Sequence, residues 1–237
     1  MSKYLITGDE GQLGAKVSEA LRDNGDEVFG FDIKSGRDIR GAGRVDAAIA
    51  GKDFDGIVHL SGIPWPMPDK TTSDYWHTNV GGAQIITEAA VKHGVPKLVF
   101  SSSTAYYGFN RGFPLGEKYV DLGSRNAIQR YWLTPNMPDM TEPAMRAGMQ
   151  YMVSKVAAEA AIALYAMLGD INAVILRLAP MSPKPYGEWK LQLDIELAVD
   201  AIVWALKTKF SEPYAVLNIG DRGLEYLDTY DDFPRRG

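Results

Sequence analysis

The chain contains no cysteine and only three histidines among its 237 residues. The lack of cysteine excludes disulfides, thiolate catalysis and cysteine-based zinc sites. The three histidines, His59, His77 and His93, share no metal-ligand spacing. They are interpreted as structural or solvent-facing residues, so the sequence predicts no metal site.

A strong net charge and long apolar runs are absent as well. The net charge is −5, which gives no electrostatic support for nucleic-acid binding by the chain as a whole. Charged residues or glycines interrupt every apolar run before it reaches the length of a membrane span. The N-terminus lacks the long apolar region of a signal peptide. These absences favour a cytoplasmic protein that binds neither nucleic acid nor membrane.

Short apolar runs alternate with segments of helical period, and 46% of the residues are apolar, enough for a sizeable core. The predicted strands are 4–7, 27–31, 56–60, 97–101, 173–178 and 215–219, and the predicted helices are 13–24, 45–50, 75–93, 152–168 and 195–207. This alternation predicts an α/β fold of the Rossmann type, with a doubly wound parallel sheet and helices on both faces.

A glycine pattern follows the first predicted strand directly. Gly8, Gly11 and Gly14 have the spacing G-x-x-G-x-x-G and lead into a helix. In a dinucleotide-binding loop these glycines allow a tight turn, a close approach to a pyrophosphate, and close helix–strand packing. The phosphates then lie over the helix N-terminus. The position between a strand and a helix favours this interpretation over a plain turn.

An acidic residue ends the second predicted strand, where dinucleotide-binding folds bind the adenosine ribose. Asp32 follows Gly14 by 18 residues, close to the expected spacing of about 20. A carboxylate there accepts hydrogen bonds from the ribose hydroxyls and repels a 2′-phosphate. The sequence therefore predicts NAD rather than NADP as cofactor, with Lys34 partly offsetting the preference.

A tyrosine and a lysine lie four residues apart on one face of a predicted helix, at Tyr151 and Lys155. A tyrosine with an ordinary pKa near 10 needs a nearby cation to act as a base at neutral pH. Lys155 and an oxidised nicotinamide would supply that charge. The serines 101–103 end another predicted strand, at the sheet edge where open α/β folds bind ligands. Together these residues predict a Ser-Tyr-Lys catalytic site.

Seven motifs in order resemble the extended short-chain dehydrogenase/reductase superfamily, in its NAD-dependent epimerase/dehydratase branch. The resemblance covers about residues 3–220 without 109–150. The motifs are the glycine loop; Gly36-Arg37-Asp38-Ile39-Arg40; Val58-His59-Leu60-Ser61-Gly62; Thr78-Asn79-Val80; the serine run; Tyr151 to Lys155; and Leu176-Arg177-Leu178-Ala179-Pro180.

The resemblance implies a role for each motif. Ser103 is the implied catalytic serine, Tyr151 the base and acid, and Lys155 its partner, which also binds the nicotinamide ribose. The expected cofactor-binding residues are Gly8, Gly11, Gln12, Leu13, Gly14, Asp32, Ile33, Asp38, Ile39, Leu60, Ser61, Gly62, Asn79, Ser101, Tyr151, Lys155, Leu178 and Pro180. The expected substrate contacts are Ser103, Thr104, Tyr107, Pro64 and Trp65.

Two departures from the family pattern bear on the reaction and on the substrate. Thr104-Ala105 stands where the family's dehydratases carry an Asp-Glu pair, so dehydration is disfavoured. The portion after Pro180 is short for a nucleotide-sugar enzyme, which favours a smaller substrate such as a sugar acid or a free sugar.

The domain prediction follows from the same spacings. The chain 1–237 is expected to form a single NAD-binding Rossmann domain. Residues 109–150 have no sustained period, which is typical of a functional loop or lid. The resemblance implies that they are an insertion, because the gap from Ser103 to Tyr151 is much longer than is usual in the family. Small substrate-binding elements are expected around 180–194 and 221–237.

The leading hypothesis is an NAD-dependent epimerase or dehydrogenase acting on a sugar or a nucleotide sugar. Three alternatives stay open: a uronate-dehydrogenase-like enzyme with net NADH formation, a non-catalytic NAD sensor, and a scaffold that binds a partner through 109–150. The predicted helix 152–168 is apolar nearly all round. Because members of this family commonly pair through such helices, a homodimer is expected.

Overall fold

The computed structural model describes residues 1–107, 143–181 and 193–220. Within them, six strands form one parallel sheet in the order β2-β1-β3-β4-β5-β6. The strands are β1 (Lys3–Thr7), β2 (Glu27–Phe31), β3 (Gly56–His59), β4 (Lys97–Ser103), β5 (Asn172–Leu178) and β6 (Tyr214–Ile219). All six predicted strands are therefore confirmed, with shifts of one or two residues at their ends.

Helices cover both faces of the sheet. They are α1 (Gln12–Asp23), α2 (Ala42–Ile49), α3 (Thr72–Tyr75), α4 (Gly82–Lys92), α5 (Pro143–Met167) and α6 (Ile195–Lys207). Successive strand residues point to opposite faces: Tyr4 and Ile6 pack in a core with α1 and α6, whereas Leu5 packs in a second core with α2, α4 and α5. The predicted doubly wound Rossmann-type fold is confirmed.

The strand order determines where along the sheet a ligand site is expected. The chain leaves β1 for β2 on one side and then continues the sheet from β3 on the other side of β1. Such a switch point opens a crevice beyond the carboxyl ends of the strands, where open α/β sheets bind ligands. The loops after β1 and β3 meet there, and the serines at the end of β4 lie beside them.

Two predicted helices differ most from the structure, whereas α1 and α2 differ from their predicted bounds by at most three residues at either end. A π-helical turn, Trp76–Gly81, joins α3 to α4 within the segment predicted as one helix. Helix α5 begins at Pro143 rather than at 152, so the last eight residues of the predicted lid 109–150 are helical. Proline is favoured in the first turn of a helix, and residues such as Arg146 and Gln150 are good helix formers.

Residues 109–142 of the predicted lid lie outside the described residues. So do 182–192 and 221–237, where small substrate-binding elements were predicted, and those predictions are untested. In the part of the chain that the structure describes, no helix has the length and apolarity needed to cross a membrane.

Candidate active site

A cavity of about 980 Å³ runs along the carboxyl edge of the sheet. Its described wall includes the loops after β1, β2 and β3, the end of β4, helix α5 and the end of β5. All the residues predicted to bind the cofactor line this wall except Asn79, and all five predicted substrate contacts line it as well. The structure therefore brings the candidate cofactor and substrate residues into one continuous space.

The glycine loop packs so closely against neighbouring backbone that side chains would not fit at Gly8 and Gly14. Gly8 has φ of +77°, and a Cβ there would lie 2.8 Å from the backbone nitrogen of Ser61. A Cβ on Gly14 would lie 2.0 Å from the carbonyl oxygen of Gly8. Gln12 and Leu13, the first residues of α1, line the cavity. A helix N-terminus presents unpaired backbone N–H groups and the positive end of the dipole, which together bind phosphate.

Asp32 lies buried in the cavity wall at the end of β2. Its carboxylate accepts hydrogen bonds from the backbone N–H groups of Lys34, at 2.8 Å, and Glu10, at 3.3 Å. The ammonium of Lys34 donates to the carbonyl oxygen of Glu10 at 2.6 Å. The lysine that was expected to offset the charge of Asp32 thus bonds the glycine loop instead. The carboxylate is held by backbone N–H groups from two segments, the glycine loop and the turn after β2.

The motif after β2 contributes a second anchored carboxylate. Asp38 accepts hydrogen bonds from Arg40, from its backbone N–H at 2.9 Å and from its guanidinium at 2.5–3.0 Å. The Arg40 guanidinium holds the pKa of Asp38 below its ordinary value. Ile39 is buried against Gly82 of α4, where a Cβ would lie 3.0 Å from the isoleucine side chain. This packing fixes the part of the cavity wall that follows β2.

Tyr151, Ser103 and Lys155 meet where α5 crosses the end of β4. A side-chain hydrogen bond joins Tyr151 to Ser103. The Ser103 hydroxyl oxygen also accepts the backbone N–H of Ala105 at 3.1 Å. The Lys155 ammonium donates to the carbonyl oxygen of Ser101 at 3.0 Å and lies 5.7 Å from the centre of the Tyr151 ring. The predicted triad is therefore assembled, with its three side chains on the cavity wall.

The electrostatics of this cluster are dominated by burial. Tyr151 is 6% exposed, and burial raises its pKa to about 12, although the hydrogen bond with Ser103 opposes the rise. Burial lowers the pKa of Lys155 to about 8, while Glu159 opposes that shift. At neutral pH the lysine is thus mostly protonated and the tyrosine is a phenol. The base role predicted for Tyr151 would require a lower pKa, so that the phenol could lose its own proton first.

Asn79 lies one layer behind the cavity. Its Oδ1 accepts the backbone N–H of Ile63 at 2.7 Å, and its Nδ2 donates to the Ser154 hydroxyl at 2.9 Å. Ser154 in turn donates to the carbonyl oxygen of Tyr151 at 2.7 Å. Asn79 therefore joins the loop after β3 to the turn of α5 that carries Tyr151 and Ser154. Its predicted contact with the cofactor stays a prediction, and the described geometry supports a positioning role.

The loop after β3 forms the exposed lip of the cavity. Trp65 is 59% exposed and, with Pro64, lines the entrance. Tyr75 holds this loop, since its hydroxyl accepts the backbone N–H of Met67 at 2.7 Å and donates to the carbonyl oxygen of Trp65 at 3.1 Å. A tethered loop with an open indole face suits contact with a ring-shaped ligand.

Tyr107 is predicted to contact substrate, and its hydroxyl is already engaged. The hydroxyl accepts from Arg177 at 2.7 Å and donates to Asn218 at 3.0 Å. Arg177 also lies 3.4 Å from the centre of the Tyr106 ring. Tyr107 lines the cavity while its hydroxyl belongs to a polar network behind it.

Sequence reasoning missed several residues of the wall, and one spacing identifies some of them. The available signal is a spacing of four residues, at Lys70, Asp74 and Thr78. This series ends at the first residue of the Thr78-Asn79-Val80 motif. The wall residues to which no contact was assigned are Arg37, Arg40, Lys70, Asp74, Thr78, Ser102, Ala105, Gly148, Met152, Ala179, Met181 and Ile195.

Comparisons with known proteins agree with this geometry. Residues 4–189 match the model of the NAD dependent epimerase/dehydratase family. The chain is 33% identical over 135 residues to a UDP-glucose 4-epimerase of Streptomyces lividans, covering 48% of this chain and 40% of that enzyme. It is 30% identical over 196 residues to the uronate dehydrogenase of Agrobacterium fabrum, covering 78% of this chain and 63% of that enzyme. These alignments span less than two thirds of either relative.

A solved structure supports the fold. A short-chain dehydrogenase/reductase superfamily protein from Agrobacterium tumefaciens with bound NAD superimposes with a TM-score of 0.68 at 21% identity. The superposition covers 93% of this chain and 78% of that protein. At this identity the likeness concerns the fold alone.

Proposed function

We propose, on the basis that this chain belongs to the NAD-dependent epimerase/dehydratase family, that it is an NAD-dependent oxidoreductase or epimerase. It moves a hydride to or from a hydroxyl-bearing carbon of a sugar-type substrate. The observation that carries the proposal is the contact of Tyr151 with Ser103, beside Lys155, in a cavity that also contains the glycine loop.

The wall residues fit an extended dinucleotide. The backbone N–H groups of the glycine loop and of the first turn of α1, which line the cavity, would hold the pyrophosphate. Asp32 would accept the adenosine ribose hydroxyls, and its negative charge favours NAD over NADP. When bound, the nicotinamide supplies hydride-transfer chemistry that no side chain of the protein provides. Leu60, Ser61 and the residues after β5 would close the middle of the site.

The chain's own residues would handle the proton. Ser103 holds the reacting substrate oxygen and Tyr151 takes its proton as the carbon is oxidised. Because burial raises the Tyr151 pKa to about 12, positive charge at Lys155 and in the cofactor must stabilise the phenolate. Lys155 is 8% exposed and mostly protonated at neutral pH, which suits that role.

The sugar-type substrate is inferred from the family and the relatives. The reaction ends as epimerisation if the hydride returns to the opposite face, and as net oxidation if the keto product leaves. One observation favours a second candidate, a dehydrogenase of a sugar acid. The match to a uronate dehydrogenase extends over 78% of this chain, against 48% for the Streptomyces epimerase. Thr104-Ala105 supplies no acid–base pair for dehydration.

A substrate panel separates these candidates. Purified protein with NAD is incubated with nucleotide sugars, free sugars and sugar acids while NADH absorbance and product identity are followed together. NADH accumulation with a sugar acid supports the dehydrogenase, and changed stereochemistry without free NADH supports the epimerase. NAD binding without turnover on any sugar would contradict the enzyme proposal and favour the sensor.

A homodimer is part of the same proposal. Leu164, Met167 and Leu168 expose apolar side chains at the end of α5, and Trp76 is exposed at the start of the π-helical turn. Helix α5 contacts α4 through the hydrogen bond of Tyr165 with Glu88. Pairing of two copies along these helices would cover the apolar side chains. A monomeric mass in solution at working concentration would contradict it. A cytoplasmic location stays a prediction from the sequence.

A further inference from the structure

Helix α5 contacts three consecutive serines of β4 with three residues of successive turns. Tyr151 bonds the side chain of Ser103, and Lys155 bonds the carbonyl oxygen of Ser101 at 3.0 Å. Glu159, one turn further along, accepts the hydroxyl of Ser102. The first two contacts belong to the proposed catalytic site. The third involves a buried carboxylate to which the proposed reaction gives no task.

Glu159 is 2% exposed and is held by two neighbouring strands. Arg177 of β5 donates to both its carboxylate oxygens, at 2.7 Å from Nη2 and at 3.1 and 3.2 Å from Nε. Ser102 and Arg177 are paired in the register of β4 and β5. The carboxylate therefore spans the strand that carries Ser103 and the strand beside it.

We propose that Glu159 is a positioning residue for the proposed reaction. Its buried carboxylate fixes the serine run against α5 and lies one helical turn from the buried ammonium of Lys155, whose positive charge it favours. The proposal rests on the proposed function because protonated Lys155 matters only if Tyr151 must lose its proton.

The charges around Lys155 support this role. Burial alone disfavours the ammonium, and Glu159 is the acidic group that raises the Lys155 pKa against that effect. His59 on β3 faces the same ammonium, but burial lowers the His59 pKa to about 3, so this imidazole is neutral at working pH. Tyr151 lies on the same helix as a neutral phenol.

Apart from Lys155, the described titratable groups that interact with Glu159 are Arg177 and Tyr214. The Arg177 guanidinium pairs with Glu159 and balances part of its charge. Tyr214 on β6 stays a phenol, because burial and Glu159 raise its pKa. Tyr107 bonds Arg177 on the far side. A buried ion pair often adds little net stability to a protein. Its presence here is therefore compatible with a role in setting the charge of the site.

The test measures the Lys155 pKa directly in the protein without substrate. The 13Cε resonance of Lys155 is titrated with pH and assigned by its loss in Lys155→Arg. In Glu159→Gln, which keeps the shape and removes the charge, the Lys155 pKa should fall by about half a unit or more. The alkaline limit of kcat should move to lower pH by a similar amount. Glu88→Gln, an exposed carboxylate bonded to the same helix, should leave both unchanged.

A second variant guards against simple unfolding, because Glu159→Gln leaves the Arg177 guanidinium buried without its anion. The double variant Glu159→Gln with Arg177→Met removes both charges and should recover the melting temperature. Its Lys155 pKa should still be lowered. A wild-type Lys155 pKa in the folded double variant would overturn the proposal. If the wild-type protein turns over no substrate, the proposed function fails, while the NMR titration still reports on Glu159.

Discussion

The ammonium of Lys155 donates to the carbonyl oxygen of Ser101 over 3.0 Å, two residues before the hydroxyl that bonds Tyr151. The lysine therefore connects its own helix to the strand end that carries Ser103, the proposed catalytic serine. This contact places its charge 5.7 Å from the Tyr151 ring centre without a direct ion pair. At this distance the cation would stabilise the Tyr151 phenolate that the proposed reaction requires.

Replacing Asp32 by Asn should weaken NAD binding by about 10- to 100-fold. A hydrogen bond to a charged group contributes about 1.5–3 kcal/mol, and the amide accepts the ribose hydroxyls less well than the carboxylate. Because the charge that repels a 2′-phosphate is lost, the ratio of NADP to NAD affinity should rise. Calorimetric titration with both cofactors measures the change. Asp23→Asn, at the exposed end of α1, is the control, and equal losses in both variants would contradict the assignment.

Gly14→Ala should destabilise the protein by about 1–3 kcal/mol, the usual cost of overpacking. The added Cβ would lie 2.0 Å from the carbonyl oxygen of Gly8, so the helix and the loop must separate. Gly43→Ala is the matched control, because Gly43 lies in α2 with nothing within 4 Å of an added Cβ. It should be neutral or stabilise by up to about 1 kcal/mol. Urea unfolding at pH 7 measures both, and equal effects would refute the close packing.

The free energy of unfolding should decrease as the pH is lowered, because His59 is buried in its neutral form. Its Nδ1 lies 2.7 Å from the Thr7 hydroxyl oxygen, its ring stacks on Phe100, and burial lowers its pKa to about 3. The unfolded state, with a pKa near 6.5, takes up the proton first as pH falls. The stabilising contribution is therefore complete above about pH 6.5 and is lost progressively toward pH 3.

Between pH 7 and pH 5 this group should remove about 2 kcal/mol of the free energy of unfolding. Urea titrations of the wild type and of His59→Gln at both pH values measure the effect. The variant should be less stable at pH 7 and should lose correspondingly less between the two pH values. A loss of the same size in both proteins would show that His59 is not the group responsible.

The sequence was informative where chemistry depends on short spacings. The glycine loop, Asp32 and the Tyr151–Lys155 pair are each set by a few neighbouring residues, and the structure places them in one cavity. The fold was predictable too, because parallel strands buried on both faces form plain apolar runs. The start of α5 was missed, because Gly148 and the neighbouring residues weaken the apolar period.

Features that depend on strand register could not be predicted from the sequence. The contact of Glu159 with Ser102 and Arg177 requires β4 and β5 to be paired at those positions, and these residues lie far apart in sequence. The position of Asn79 behind the cavity wall likewise depends on how the loop after β3 packs against α5. A motif identifies such an asparagine without telling which layer of the site it occupies.

The most direct test of the account compares Tyr151→Phe with Tyr165→Phe, two variants that each remove one hydroxyl from the same helix. Both are titrated with NAD and assayed on the substrate identified by the panel. Tyr151→Phe should bind NAD within about threefold of wild type and lose at least about 100-fold in kcat, the lower end of what a positioned acid–base group contributes. Tyr165→Phe, whose hydroxyl bonds Glu88 at the helix surface, should match the wild type in both. Unaltered turnover in Tyr151→Phe would contradict the central claim that this tyrosine moves the substrate proton.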